Sequence, residues 1–420
     1  MTTTNRRTLL GAAAAAPALA AGLAAPRAAR AQGGGGGGGP TIRIGVLNDQ
    51  SSLYRDISGP HSVACVRQAV ADSGVAARGI NVEVVFADHQ NRADVGSNVA
   101  RQWYDRDGVD VVVDVPTSSV ALAIAGVTRE KNKVFLASNP ATAVLTGEQC
   151  SPNTVHWTYD TWMLARSTGG AMVRAGGDSW FFVTADYAFG HALEADTSNF
   201  VRSAGGRVLG AVRAPLNNQD FSSFLLQAQQ SRAKVVGLAN AGTDTINSVK
   251  QAAEFGLTRR GTKIAVLLMF ISDVHSLGLQ AAQGLVCSET YYWDLNDRTR
   301  AFANRVQGAM GGARPGMGQA GCYGAVLHYL KAVADMGAAA AKASGAEAVA
   351  RMKAMPCDDD AFGPGTIRAD GRKLHPVYLF EVKAPGESRG AWDYYKLLQT
   401  TSAEEGWRPL ADGGCPIVRS

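Results

Sequence analysis

The segment 109–127, VDVVVDVPTSSVALAIAGV, restricts the possible folds more than any other stretch. Its first part, 109–115, is an apolar run that ends at Pro116, the pattern of a strand buried on both faces. Thr117, Ser118 and Ser119 come next, followed by an Ala/Leu/Ile segment of helical character. A parallel strand passing into a helix through Thr-Ser-Ser makes a place for an anion. The first N–H groups of the helix have no internal partner, and the hydroxyls add donors beside them. The competing reading is an ordinary N-cap whose hydroxyls only complete the helix.

The same strand-to-helix rhythm recurs at intervals of roughly thirty residues, the signature of βαβ units and a mainly parallel sheet. Strands are expected over 41–47, 82–87, 109–115 and 134–137, with helical spacing over 63–72 and 95–105 between them. After 155–160 the rhythm restarts. Strands are expected over 180–184, 207–212, 234–239, 263–270 and 284–291, with helices over 191–204, 221–232 and 243–255. Helices over 319–336 and 338–352 and a strand over 377–382 follow both units, so the chain should return to the first unit and cross again. The expected fold class is α/β, with two doubly wound, Rossmann-like lobes. The expected first lobe is 41–157 plus 294–375, and the second is 158–293 plus 376–420. Ligands of open parallel sheets sit beyond the C-terminal strand ends. Here those loops are 51–54, 116–119, 138–140, 186–190, 240–244 and 271–275, rich in hydroxyls, amides and rings and poor in charge. Such a lining suits a small, partly apolar ligand held by a few oriented polar groups.

The N-terminus reads as an address. Asn5-Arg6-Arg7-Thr8-Leu9-Leu10 is a twin-arginine pattern, an Ala-rich apolar stretch follows, and Ala29-Arg30-Ala31 offers small residues for cleavage near Ala31. Pro17 interrupts the apolar part, which argues against a retained membrane helix. The expected destination is the periplasm. Residues 32–40 form a Gly-rich tether; no strand precedes them, so their formal G-x-G-x-x-G is not a nucleotide loop. The chain has 41 Lys+Arg against 36 Asp+Glu, and the acid-free leader holds four of the arginines, so the remainder is balanced to within one charge. A balanced surface gives no reason to expect a nucleic-acid partner. About 390 residues suit two domains rather than one core. The six cysteines (65, 150, 287, 322, 357, 415) contain no C-x-x-C pair and no zinc-like cluster, so no metal and no cofactor are expected. Some should be bridged in an oxidising compartment, with 15 connectivities open.

These stretches together resemble the periplasmic solute-binding proteins of ABC importers in the branched-chain amino-acid class, which have the type I periplasmic binding fold. The resemblance is carried by IRIGVLNDQSSLY, VEVVFADHQNRADV, VVDVPTSSVALAI, VHWTYDTW, GGDSWFFVTADYAFGHALE, DFSSFLLQAQ, AEFGL, DVHSLGLQAAQGL, YYWDLND and IRADGR, and it covers about 42–418. The chain is most similar to a subgroup associated with uptake of aromatic and other organic acids. The resemblance implies two lobes joined by three hinge strands that close on a carboxylate-bearing ligand. The expected partners are that ligand and the membrane permease subunits, with the protein a monomer. It places the carboxylate at Thr117, Ser118 and Ser119 and at the turn 138–142, with Ser138 and Asn139. Tyr54 and Tyr187 would supply rings, with Phe189 beside the second. In amino-acid binders an acid in the loop matching 240–244 takes the ammonium group. Here the loop is Asn240, Ala241, Gly242, Thr243 and Asp244, and Asp244 falls inside the next helix, which favours a ligand without an amine. The resemblance also implies a Cys150–Cys415 disulfide.

Other candidates carry two readings each. Tyr159, Thr161 and Trp162 lie at the expected first crossing, where hinge and ligand contact compete. Phe270 and Tyr291 are core or pocket wall, Asp273 is a ligand group or a helix cap, and His89 is a structural hydrogen-bonder. The chain lacks G-x-S-x-G, H-E-x-x-H, a P-loop and a catalytic C-x-x-C, so an enzyme such as a secreted hydrolase is the weaker alternative. Amino-acid or amide binding, and a sensor role beside a membrane receptor, share the fold and remain open.

Overall fold

The computed structural model describes residues 40–418, so the expected leader and most of the glycine tether lie outside the described residues. The first sheet is built from β1 (Thr41–Asn48), β2 (Asn81–Asp88), β3 (Val111–Asp114), β4 (Val134–Ala137) and β5 (Thr154–His156). Its order is β2-β1-β3-β4-β5, and every pairing is parallel. α1 (Gly59–Ser73), α2 (Ala93–Asp105) and α3 (Ser118–Glu130) connect the strands. β3 and β4 are buried at every residue, as apolar runs covered on both faces must be. Gly45 in β1 is needed for close approach: a Cβ there would lie 2.4 Å from the Trp103 ring of α2.

The chain leaves this sheet after β5 through α4 (Thr161–Leu164), a π-turn at Ala165–Gly169 and α5 (Gly170–Arg174). The second sheet contains β6 (Ser179–Ala185), β7 (Arg207–Ala214), β8 (Val235–Ala239) and β9 (Lys263–Val266), in the order β7-β6-β8-β9, again all parallel. Its helices are α6 (Ala188–Ser203), α7 (Ser222–Gln230), α8 (Thr243–Glu254), α9 (Ile271–Leu277) and α10 (Leu279–Ala282). β10 (Val286–Glu289) then leads back through α11 (Asp297–Gln307) to α12 (Met317–Met336), which packs on α1. α13 (Ala338–Ala343), α14 (Gly345–Ala354) and a small antiparallel sheet of β11 (Cys357–Asp359), β12 (Gly363–Ile367) and β13 (Lys373–Leu374) follow. β14 (Val377–Val382) pairs antiparallel with β10 and with β15 (Tyr395–Thr401).

The expected 263–270 strand stops at Val266, because the chain turns at residues 267–270 to start α9, where the Asp273 carboxylate accepts the Phe270 N–H at 3.0 Å. The expected 338–352 helix is two helices; Ser344 breaks it by capping α14 through the Glu347 N–H. α11 was not anticipated, although Asn296 caps it through Arg298 and Thr299. The tail beyond β15 packs against the segment between β4 and β5. Cys415 is bridged to Cys150, and Arg408 donates to the Ala143 carbonyl at 2.9 Å. Cys65, Cys287, Cys322 and Cys357 are buried free thiols. Among the described residues no helix is long and apolar enough to cross a membrane.

Candidate ligand-binding site

The loops at the C-terminal ends of the two sheets meet. The Tyr54 and Tyr187 hydroxyls lie 2.6 Å apart, Thr243 Oγ1 reaches the Leu53 carbonyl at 3.5 Å, and α3 touches α6. Leu53, Tyr54, Tyr159, Phe189, Ala241, Phe270 and Tyr291 share one buried cluster, with Tyr187 packed against it. Three helices begin at this junction without a side-chain cap: α3 after Thr117, α6 after Tyr187 and α8 after Gly242. Unsatisfied N–H groups and the positive dipole ends of three helices thus face a region lined by rings.

The local sequence explains the loop shapes. Asp49 accepts the N–H groups of Ser51, Ser52 and Tyr54 at 2.8 to 3.1 Å, an Asx-type turn that aims the Tyr54 ring. Burial opposes the Asp49 charge, but the Tyr54 N–H and the Asn91 and Ser52 side chains hold its carboxyl below the usual range. At the end of β3, Asp114 and Val115 both adopt left-handed φ, +87° and +61°. Such a conformation is costly for a β-branched residue and is kept only where the surroundings impose it. Asp114 is fully buried and accepts Asn139 Nδ2 at 2.6 Å and Asn48 Nδ2 and Ser58 Oγ at 2.8 Å. Burial raises its pKa against the pull of those donors.

Several expected ligand groups are engaged within the protein. The Thr117 hydroxyl donates to the Asn91 amide oxygen, and Ser118 Oγ accepts the Thr142 N–H at 3.3 Å, joining the two turns. Half-buried Ser119, with no protein partner for its hydroxyl among the described contacts, stands at the start of α3. Asn139 Nδ2 donates to Asp114, while Asn139 Oδ1 and Ser138 Oγ are buried without a hydrogen-bond partner among the described residues. Thr161 Oγ1 accepts the Ala143 N–H, and Trp162 packs edge-on against Phe200. Tyr159 donates to the Asn139 carbonyl at 2.5 Å and meets Phe270 edge-on. Asn240 is braced by Ser248 and Thr245. Tyr291 packs between Phe302 and Phe362, and His89 accepts the Asn91 N–H. Asp244 lies in the first turn of α8 and accepts the Asn217 and Asn218 N–H groups at 3.1 and 2.9 Å. Asp49, Asn91 and Asp114 were not singled out from sequence; only the Asp49-x-Ser-Ser turn pattern carried a readable signal.

Burial raises three acids near the junction, Asp244 and Asp273 to about 7 and Glu289 to about 8. Groups with raised folded-state values bind protons more tightly when folded. The stability they contribute is complete below the unfolded values near 4 and is lost as pH rises through 7 to 8. His89, which burial lowers to about 4, acts oppositely but only below its unfolded value near 6.5. Between about pH 6.5 and 8.5 the unfolding free energy should therefore fall, at up to about 1.4 kcal/mol per pH unit for each proton released, and the melting temperature with it. Calorimetry across that window checks this, and Glu289→Gln should flatten the slope.

The periplasmic binding protein family model matches residues 41–390. The chain belongs to that family. A periplasmic binding protein of Burkholderia mallei is 46% identical, with a TM-score of 0.86, covering 90% of this chain and 99% of that one. A branched-chain amino-acid ABC transporter periplasmic ligand-binding protein of Burkholderia xenovorans LB400 is 37% identical, with a TM-score of 0.78 and the same coverage of each chain. An R. palustris ABC-transporter solute-binding protein in complex with 4-hydroxybenzoate shares the fold, at 21% identity and a TM-score of 0.76 over 87% of this chain and 98% of that one. This periplasmic binding protein has the type I fold and is a ligand-binding component of an ABC transporter. It belongs to a family that binds substrates rather than converting them.

Proposed function

We propose that this periplasmic binding protein captures a small carboxylate, an aromatic or other organic acid, between two closing lobes and presents it to membrane permease subunits as a monomer. In this reading the first lobe is 41–157 with 294–375 and the second is 158–293 with 376–420, whose tail reaches back to Cys150 through Cys415. The observation that carries the reading is the meeting of three uncapped helix N-termini with the Tyr54–Tyr187 pair across the junction. Among the described residues, the hydrogen-bond contacts across the junction are made by Tyr54, Tyr187, Leu53 and Thr243 rather than by a lysine or arginine, and in this reading N–H groups and the Ser119 hydroxyl hold the carboxylate. Hydrogen bonds to a charged acceptor are roughly twice as strong as neutral ones, which makes such a grip sufficient. Asp244 is occupied by two backbone N–H groups, which disfavours capture of an ammonium group and supports a ligand without an amine. Tyr54, Tyr187, Phe189, Tyr159 and Phe270 supply the apolar wall, while Ser138, Asn139 and Asn240 shape loops.

A thermal-shift screen of the mature protein against benzoate, 4-hydroxybenzoate, dicarboxylates and branched-chain amino acids tests this. A ligand at 100 times its Kd adds about 2.7 kcal/mol of stability. Shifts are expected among the carboxylates without an amine, and Tyr187→Ala should remove the response. Shifts with amino acids alone would overturn the no-amine reading, and turnover of a bound compound would overturn the binding role.

A further inference from the structure

Consecutive residues Arg372 and Lys373 are both fully buried, and Arg372 sits where the chain passes between the lobes. Its Nη2 donates to the Thr158 carbonyl at 2.7 Å, and its Nη1 reaches the Tyr159 carbonyl and Asp160 Oδ2, each at 3.4 Å. Nε donates to the Lys373 carbonyl at 3.2 Å. The Trp407 ring covers the guanidinium at 4.3 Å and donates through Nε1 to the His375 carbonyl. The His375 ring in turn bonds the Trp157 carbonyl at 3.0 Å. The Arg372 guanidinium together with the His375 ring thus joins three passages: 157–160 leaving β5, 372–375 before β14, and the return segment at Trp407.

A buried cation with its carboxylate at 3.4 Å adds little net stability, because desolvation offsets the attraction. The guanidinium does offer a rigid fork of donors that a lysine cannot copy. That fork grips the carbonyls of Thr158 and Tyr159. The Tyr159 hydroxyl holds the Asn139 turn of the first lobe, and its ring rests against Phe270 at the start of α9 in the second. We infer that Arg372 is the positioning residue that sets Tyr159, and with it the alignment of the two lobes at the ligand junction. The ligand-facing part of this rests on the proposed function; the grip itself does not.

Hydrogen exchange of the ligand-free mature protein separates the two. In Arg372→Lys, amides of residues 157–165 should exchange about tenfold faster or more, while α12 keeps wild-type rates, because local opening is coupled to the lost contact and global unfolding is not. Spin labels at Arg106→Cys and Gln230→Cys, one per lobe, should report a broader interlobe distance in the same variant. Trp407→Leu keeps the guanidinium and removes its cover; it should accelerate the same segment by less, which keeps the test open if the Arg372 variant fails to fold. Uniform acceleration in all segments, or wild-type exchange at 157–165, would overturn the positioning role. Failure of every acid in the thermal screen would sink the proposed ligand class and leave the exchange pattern intact.

Discussion

Gly242→Ala should weaken ligand binding by about 10- to 100-fold while the protein stays folded. Gly242 has φ +59° and ψ −135°, a conformation that side-chain-bearing residues adopt at a cost of roughly 1–3 kcal/mol. A Cβ there would lie 2.7 Å from the Leu53 carbonyl oxygen and 3.1 Å from the Tyr54 ring. Both obstacles belong to the opposite lobe, so the clash is relieved by parting the lobes and not by unfolding either. Apparent affinity scales with the population of the binding-competent closed form, which is how a local clash becomes a loss in Kd. Titration calorimetry with a hit from the acid screen measures the change. Wild-type affinity in this variant would mean that the Leu53–Gly242 contact plays no part in closure.

Asp114→Ala should cost roughly 3–6 kcal/mol of stability. The substitution leaves the Ser58 and Asn139 donors buried without their acceptor, at about 1–3 kcal/mol each, and takes one of two acceptors from Asn48, whose amide still donates to the Gly59 carbonyl. It also releases the left-handed backbone at Asp114 and Val115 that directs the chain into Thr117 and Ser118. A loss of that size is a large share of the roughly 5–15 kcal/mol available to a folded domain. Denaturant unfolding gives the value; a change below about 1 kcal/mol would show that the freed donors find water or new partners.

In the Thr-Ser-Ser turn the local pattern sets the backbone and distant residues set the partners. The strand, the turn and the helix at 109–130 follow from apolar patterning and Pro116, and the observed β3 and α3 lie within that frame. Whether each hydroxyl faces a ligand or the protein depends on what lies opposite it. Thr117 faces Asn91, twenty-six residues earlier, and Ser118 faces Thr142, twenty-four residues later. Asp114 ends an apolar run and gives no local sign that three distant donors converge on it. The expected 263–270 strand failed for a similar reason: Leu267 to Phe270 are apolar enough for a strand, but Asp273 captures the Phe270 N–H and starts a helix.

Sequence alone determined the alternation of strands and helices and the restart after 155–160, because periodicity and turn residues act over a few neighbours. The tertiary structure alone decided which polar groups remain for a ligand and how the passages between lobes are bound together. Arg372 and Asp114 each join residues far apart in the chain, and pairing at that range depends on how the packed elements meet; the Cys150–Cys415 bridge, implied by the family resemblance, is present.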